Sequence, residues 1–418
     1  MILRSNSDQI KAQVSLPGSK SISNRALMIG AYSDIEMNIA GLSRADDTIM
    51  LHRNLEFISN CSESSIPMVI DCGNAGTVFR FLLSYLASTP GQWMLTGTIR
   101  MKARPVADLV TSLRNLGAEI YYVEEEGFPP VRIIGKQLPG GKTSVSMEKS
   151  SQFASSLLMA APVWSYGLEL ELTDNLSSMP YLEMTLRLME RFGAKIKRAE
   201  RKISVLPLPY KKAPLIVEPD WSSAAFWYEL VALSEQGEIL MKDLLLESLQ
   251  GDRVMTTMFS QLGVETFQEP DGILIFKTGK IANEISFDLN DYPDMLPALV
   301  ATCCGLGKEA HFTGLENLQY KESDRTAALQ KQMTKIGCSF EKITTGHYHL
   351  KPGKPIEKAT DTVIRFETYS DHRMAMAFAP LAMKLGVLEI ENPEAVEKSY
   401  PNYWEELFAT GAIGKELS

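Results

Sequence analysis

Two kinds of apolar pattern alternate along the chain. One is an amphipathic helical stripe that stops at a glycine, as in SLRNLGAEI, LMERFGAKI, FSQLGVETF, MTKIGCSF and ELFATGAIG. The glycines are Gly117, Gly193, Gly263, Gly337 and Gly411, spaced 70 to 76 residues apart. Each suits the left-handed position that ends a helix, and a strand-like segment follows in most. LHRNLEFISN, near residue 55, reads as a divergent sixth copy. The second kind opens with small polar or turn residues and runs into nearly uncharged helix. Its members are SISNRALMIGAY, NAGTVFRFLLSYLA, SSQFASSLLMAAPV, DWSSAAFWYELVAL, YPDMLPALVATCCGL and SDHRMAMAFAPLAM. A helix apolar on every side belongs inside a core, with the amphipathic set outside it.

The alternation predicts an α/β protein of six units of roughly 70 residues, each βαβα with further strands after the outer helix. A duplicated three-unit domain is the economical arrangement. No Gly/Ser or Pro-rich linker separates halves, so the crossings are placed by pattern, near Pro17–Gly18 and near Val217–Pro219. The expected domains are then 18–218 and 1–17 plus 219–418, with an active site in the cleft between them. A first strand, roughly Ile2 to Leu16, would pair with the C-terminal half. Inner helices that aim their N-termini at such a cleft would gather six positive dipole ends; the alternative is six packed helices whose caps face bulk water.

Composition narrows the partners. The chain has 418 residues, 45% hydrophobic and 22% charged, with a net charge of −9. That balance argues against a nucleic-acid or membrane-surface binder, so any anion site must collect its cations locally. No apolar run approaches the ~20 residues that span a bilayer, and MILRSNSDQIKAQV lacks a signal-peptide pattern. Cys61, Cys72, Cys303, Cys304 and Cys338 have no C-x-x-C spacing and read as reduced, mostly buried thiols of a cytoplasmic protein.

Candidate chemistry gathers at the inner-helix starts. In LPGSKSISNR, Ser19, Ser21 and Ser23 are plausible N-caps, while Lys20 and Arg25 fall in the first turn, where the dipole disfavours cations. An anion joining them resolves the conflict; a solvated start to a surface helix is the plainer alternative. NAGTVFR offers a turn at Asn74 and Gly76 whose backbone N–H groups can approach an anion, or a simple helix cap. RMKARP sets Arg100, Lys102 and Arg104 in an extended or loop segment, as an anion clamp or a solvated edge. Ser150, Ser151 and Gln152 open the third inner helix, where capping accounts for one serine. SSMPY adds Ser178 and Tyr181. Asp294 stands at the fifth inner-helix start, where capping is a good explanation. Lys321, Glu322 and Arg325 place a carboxylate between two cations. Asp371, His372 and Arg373 open the sixth, and Lys398 lies in EKSYP. His347-x-His349 has no further ligand nearby in sequence, so no metal site is expected.

Taken in order, LPGSKSISNR, NAGT, RMKxRP, SSQF, the Asp of YPDM, KESDR and DHRMAM resemble the 5-enolpyruvylshikimate-3-phosphate synthase family of enolpyruvyl transferases over essentially the whole chain. The resemblance implies an inside-out α/β fold of two similar domains, each of three βαβαββ units, which close over substrate. It implies transfer of the enolpyruvyl group of phosphoenolpyruvate to the 5-hydroxyl of shikimate 3-phosphate, by a cytoplasmic monomer with no cofactor or metal. Carried over by position, Lys20, Ser21, Arg25, Ser150, Ser151, Gln152, Ser178, Tyr181, Asp294, Asn317 and Lys321 resemble the shikimate 3-phosphate set. Lys20, Asn74, Gly76, Arg104, Gln152, Arg325, Arg373 and Lys398 resemble the phosphoenolpyruvate set. Asp294 and Glu322, with Lys20, match the acid/base groups. Phe81 departs from the family's usual Pro or Leu, which leaves the pocket's fine shape and its response to glyphosate open. The nearest rival, a UDP-N-acetylglucosamine enolpyruvyl transferase, would carry a reactive Cys in the RMKARP loop. A non-catalytic scaffold on the same repeats is the rival of another class.

Overall fold

The computed structural model describes residues 1–418 apart from 34, 36, 62–65, 354–357, 359–362 and 417–418. The chain divides into two compact units, Met1–Ser19 with Glu218–Ser418, and Lys20–Val217. Among the described residues, five of the six sheets share one design, a parallel pair extended by two antiparallel strands. In the unit Lys20–Val217, Met68–Asp71 runs parallel to Gly91–Thr96, which pairs antiparallel with Val131–Gly135, and Glu119–Tyr122 completes the sheet. Gly141–Ser146, Leu168–Thr173, Lys202–Val205 and Ile196–Ala199 repeat the order. The inner helices Gly76–Ser88 and Ser151–Ala160 are the crossovers of these two parallel pairs, which a parallel connection requires.

The other unit repeats the design three times, and the N-terminus supplies strands to two of the sheets. Gln9–Ser15 lies parallel to Gln236–Lys242, and Ile2–Ser5 lies between Val387–Ile390 and Ile413–Lys415. The expected single strand Ile2 to Leu16 is therefore two, in different sheets. The polar stretch Asn6–Asp8 breaks it, and the Ser7 hydroxyl both donates to the Gln9 carbonyl and accepts from its N–H. Where the chain leaves and re-enters this unit, the Ser19 N–H donates to the Glu218 carbonyl and the Asp220 N–H to the Pro17 carbonyl, so the two passages pair antiparallel.

The sixth copy departs from the pattern. Helix Asp46–Ser59 contains LHRNLEFIS, with Asn60 as its C-cap, but its sheet has only the parallel pair Ile39–Ala40 and Leu215–Ile216 among the described residues. The next strand in sequence, Met68–Asp71, already belongs to the neighbouring sheet. The five repeat glycines all adopt positive φ, between 72° and 93°. Four follow a helix end, but Gly263 lies within strand Leu262–Glu269, at the register shift between Leu262 and Val264, and so does not end a helix.

The inner helices are buried as their composition demands. All 13 residues of Trp221–Leu233 are buried, including Trp221, Trp227 and Glu229. Glu229 stands apart, because neither carboxyl oxygen has a hydrogen-bond partner among the described residues, and Tyr403 and Cys303 are titratable neighbours. Burial pushes its carboxyl well above the ordinary glutamate range, so it is held neutral. A raised folded-state value contributes stability at low pH that is lost as pH rises past the unfolded value of ~4.3. Relative to Glu229→Gln, the wild-type protein should lose about 1.4 kcal/mol per pH unit above that point, until the buried group titrates. Denaturation midpoints at pH 5 and pH 8 measure this; equal pH dependence in the two proteins would refute it.

Candidate active site

In the unit Lys20–Val217 the first inner helix runs Lys20–Ala31, so Lys20 and Ser21 open it while Arg25 falls beyond the first turn. Ser23 does not cap it either: its hydroxyl accepts from the Ser43 N–H at 2.9 Å and fastens a loop. Lys20 Nζ lies 3.4 Å from the buried carboxylate of Asp47, a partner that the motif reading missed. Arg25, 2% exposed, donates from Nε to Thr185 Oγ1 (2.7 Å), from Nη1 to the Ser21 carbonyl (2.9 Å) and from Nη2 to the Tyr181 carbonyl (3.2 Å). Burial pulls its guanidinium down to about 10. Phe81 lies with its ring centroid 5.5 Å from this guanidinium. The unusual Phe81 is thus a core neighbour of Arg25.

Ile99–Lys102 forms a short helix rather than an extended segment, with Thr98 capping it by accepting from the Met101 N–H. The three cations of RMKARP consequently diverge. Lys102 pairs with Glu124 at 2.5 Å, whereas Arg104 is 3% exposed and donates to the Asn74 carbonyl at 3.3 Å. Gly76 makes that approach possible, since a Cβ there would stand 2.6–2.7 Å from the Arg104 guanidinium. Ser150 is the cap of helix Ser151–Ala160, accepting from the Gln152 N–H. Gln152 reaches across to helix Gly76–Ser88, accepting from Arg80 Nη1 at 2.7 Å and donating to Thr77 Oγ1 at 2.9 Å. Arg80 stood in the NAGTVFR motif without a role; its buried cation now orients Gln152. Ser178 precedes helix Met179–Arg191 in a left-handed conformation, φ 57°, and Tyr181 opens that helix.

The other unit holds the densest charge. A 3-10 turn, Pro293–Met295, comes before helix Leu296–Gly305, and Asp294 makes no cap there. Its Oδ1 accepts from Arg325 Nη1 at 2.7 Å and its Oδ2 from Arg373 Nη2 at 2.9 Å, with Lys321 Nζ 3.7 Å away. Arg325, 1% exposed, also donates from Nη2 to Glu322 Oε2 (3.2 Å) and from Nε to Asp371 Oδ2 (2.9 Å). Asp371, wholly buried, accepts in addition from Ser323 Oγ and from the Arg373 N–H, so it anchors the group and caps helix His372–Phe378. Burial alone would raise the Asp294 carboxyl, but Arg373, Lys321 and Arg325 outweigh it and hold the group well below the usual carboxylate range. Burial alone would weaken the Arg325 guanidinium's hold on its proton, yet Asp371, Asp294 and Glu322 tighten it beyond the ordinary value. Asn317 is buried, with its side-chain oxygen lacking a partner among the described residues. Lys398 ends the turn Pro393–Lys398, which packs on helix His372–Phe378.

Lys20, Lys321, Arg325 and Arg373 are thus matched internally by Asp47, Asp294, Glu322 and Asp371. Asp47 lies in no motif, and Asp371, which opens DHRMAM, had no partner assigned; only a fold that buries the arginines and lysines shows the need for both. His347 and His349 do gain a neighbour, His311, whose ring stacks on His349 with centroids 4.2 Å apart. Among the described residues, however, no group of three or more His, Cys, Asp or Glu side chains is arranged to hold a metal, and no helix is long and apolar enough to cross a membrane.

The architecture is that of known transferases. EPSP synthase from Acinetobacter baumannii superposes with a TM-score of 0.75 at 22% identity, covering 99% of each chain, and a second structure of that enzyme gives 0.73 at 21%. At that identity the likeness establishes the two-domain inside-out α/β fold. The family profile for EPSP synthase (3-phosphoshikimate 1-carboxyvinyltransferase) matches residues 5–407, and the chain belongs to that family. A 3-phosphoshikimate 1-carboxyvinyltransferase from Bacteroides fragilis is 43% identical over 418 residues, 99% of each chain. One from Syntrophobacter fumaroxidans is 35% identical over 95% of this chain and 96% of its own. Membership makes this chain a carboxyvinyl transferase of the shikimate pathway.

The Gly76–Arg104 approach yields a test. Gly76→Ala must displace the guanidinium, and a shift of that size should lower kcat/KM for the anionic substrate by about 10- to 100-fold while the circular dichroism spectrum stays unchanged. An unaltered kcat/KM would remove Arg104 from the working site.

Proposed function

We propose that the chain transfers the enolpyruvyl group of phosphoenolpyruvate to the 5-hydroxyl of shikimate 3-phosphate by addition and elimination, releasing phosphate. The observation that carries the reading is the Asp294 cluster: one carboxylate held between Arg325 and Arg373, with Glu322 on the same Arg325 guanidinium. It supplies a proton acceptor, a second carboxyl and two donors for an anion within one group of contacts.

In this mechanism Asp294 takes the 5-hydroxyl proton as the oxygen bonds to C2 of phosphoenolpyruvate. Glu322, assisted by Lys20, protonates the methylene carbon, giving a tetrahedral intermediate that bears both the ether and the phosphate. Loss of a proton from the new methyl group and cleavage of the C2–O bond to phosphate complete the exchange. Arg104, Arg325, Arg373 and Lys398, with Asn74, Gly76 and Gln152, receive phosphoenolpyruvate. Lys20, Ser21, Arg25, Ser150, Ser151, Gln152, Ser178, Tyr181, Asn317 and Lys321 receive shikimate 3-phosphate, and the unpartnered Asn317 oxygen suits a ligand hydroxyl. Two polyanions repel strongly in a dry site, so several cations are needed to hold them together. The chain would act as a cytoplasmic monomer, without cofactor or metal.

Phosphate release should require phosphoenolpyruvate and shikimate 3-phosphate, with UDP-N-acetylglucosamine failing as acceptor. Ile99–Lys102 and the residues up to Arg104 carry no cysteine, which weighs against the nucleotide-sugar reaction. Asp294→Ala should lower kcat by about 10²- to 10⁴-fold, the usual contribution of a positioned acid or base, with shikimate 3-phosphate still bound by calorimetry. Normal turnover in that variant would remove Asp294 from the mechanism.

A further inference from the structure

The group around Arg325 is electrically closed. Lys321, Arg325 and Arg373 face Asp294, Glu322 and Asp371, so an anion arriving there meets no unbalanced charge. It must exchange places with a carboxylate. The fixed fork of a guanidinium offers five N–H donors. Arg325 directs Nε–H to Asp371 Oδ2, Nη1 to Asp294 Oδ1, and Nη2 to both Glu322 Oε2 (3.2 Å) and Asp371 Oδ1 (3.5 Å). Four donors are engaged, and a ligand taking two parallel bonds from this fork has to displace one of them.

The displaced partner is decided by anchoring. Asp371 is fully buried and further held by Ser323 and by the Arg373 N–H. Asp294 is the most exposed of the three carboxylates, at 19% against 13% for Glu322 and 0% for Asp371. Its second oxygen rests on Arg373, itself a candidate anion receiver. With both oxygens capped by guanidinium, Asp294 is poorly disposed to accept a substrate proton.

Building on the assignment of Asp294 as proton acceptor and of Arg325 and Arg373 as anion receivers, we propose that these two arginines gate the base. In the empty protein they occupy both Asp294 oxygens, and a carboxylate or phosphate anion that binds them frees Asp294 to take up a proton. Base strength is then switched on by the second substrate, which keeps the site from deprotonating a hydroxyl that has nothing to attack. Losing neighbouring cations and gaining a neighbouring anion both move a carboxyl in the same direction, by about one to three pH units.

The test is carbon-13 NMR of the full chain labelled at the aspartate carboxyl carbons, with the Asp294 signal assigned through Asp294→Asn. Saturating phosphoenolpyruvate should raise the titration midpoint of that signal by at least about one unit, while sodium chloride at equal ionic strength should not. In Arg373→Gln the empty-state midpoint should already be raised and the ligand-induced shift smaller; Arg373→Lys serves if the glutamine variant does not fold. If calorimetry shows phosphoenolpyruvate bound with its affinity reduced by Arg373→Gln, yet the Asp294 midpoint does not move, the gate is refuted and the anion-site reading survives. If Arg373→Gln leaves that affinity unchanged, the anion-site reading falls and the gate with it.

Discussion

A guanidinium taken out of water must find anions, and this chain meets that requirement from inside. Arg325 sits 1% exposed with contacts to three carboxylates, an arrangement that is tolerable only because nearly every donor is satisfied. Removing any single partner would strand a buried charge, which makes the group stiff and its geometry specific. The same logic governs Lys20 on Asp47 in the other unit. An acidic chain can therefore keep strongly basic side chains out of water by matching them with carboxylates.

The scaffold under these contacts is a set of helices with no polar face. Trp221–Leu233 is buried along its whole length, and Leu296–Gly305 nearly so. Such helices cannot lie on a surface, so the sheets and outer helices must surround them. Polar chemistry is thereby pushed to the helix starts, where Lys20, Gly76, Ser151 and Arg373 all stand within the first two residues. Glu229 is the exception within the core: a carboxyl accommodated by staying protonated.

Neighbours from other elements also position the candidate site residues. Gly76 is small because Arg104 lies where its side chain would be, and Gln152 is aimed by Arg80 and Thr77 on another helix. Phe81, conspicuous as a sequence departure, is accounted for by its position under Arg25. The Gln152 contacts join helices 72 and 75 residues apart, about one repeat of the chain.

The alternation of apolar helix types, four of the five helix-ending glycines and the small polar helix starts were legible in the sequence, because each depends on local periodicity or on one residue's backbone freedom; Gly263, which falls in a strand, was not. The family and its motifs were legible for the same reason, as contiguous strings. Partnership was not. That Ile2–Leu16 splits between two sheets, that the sixth copy has no hairpin among the described residues, that Ile99–Lys102 coils into a helix and that Asp294 pairs with arginines instead of capping were decided by tertiary structure. Strand pairing and ion pairing join residues distant in sequence, and their free energy depends on burial and distance, which no linear pattern contains.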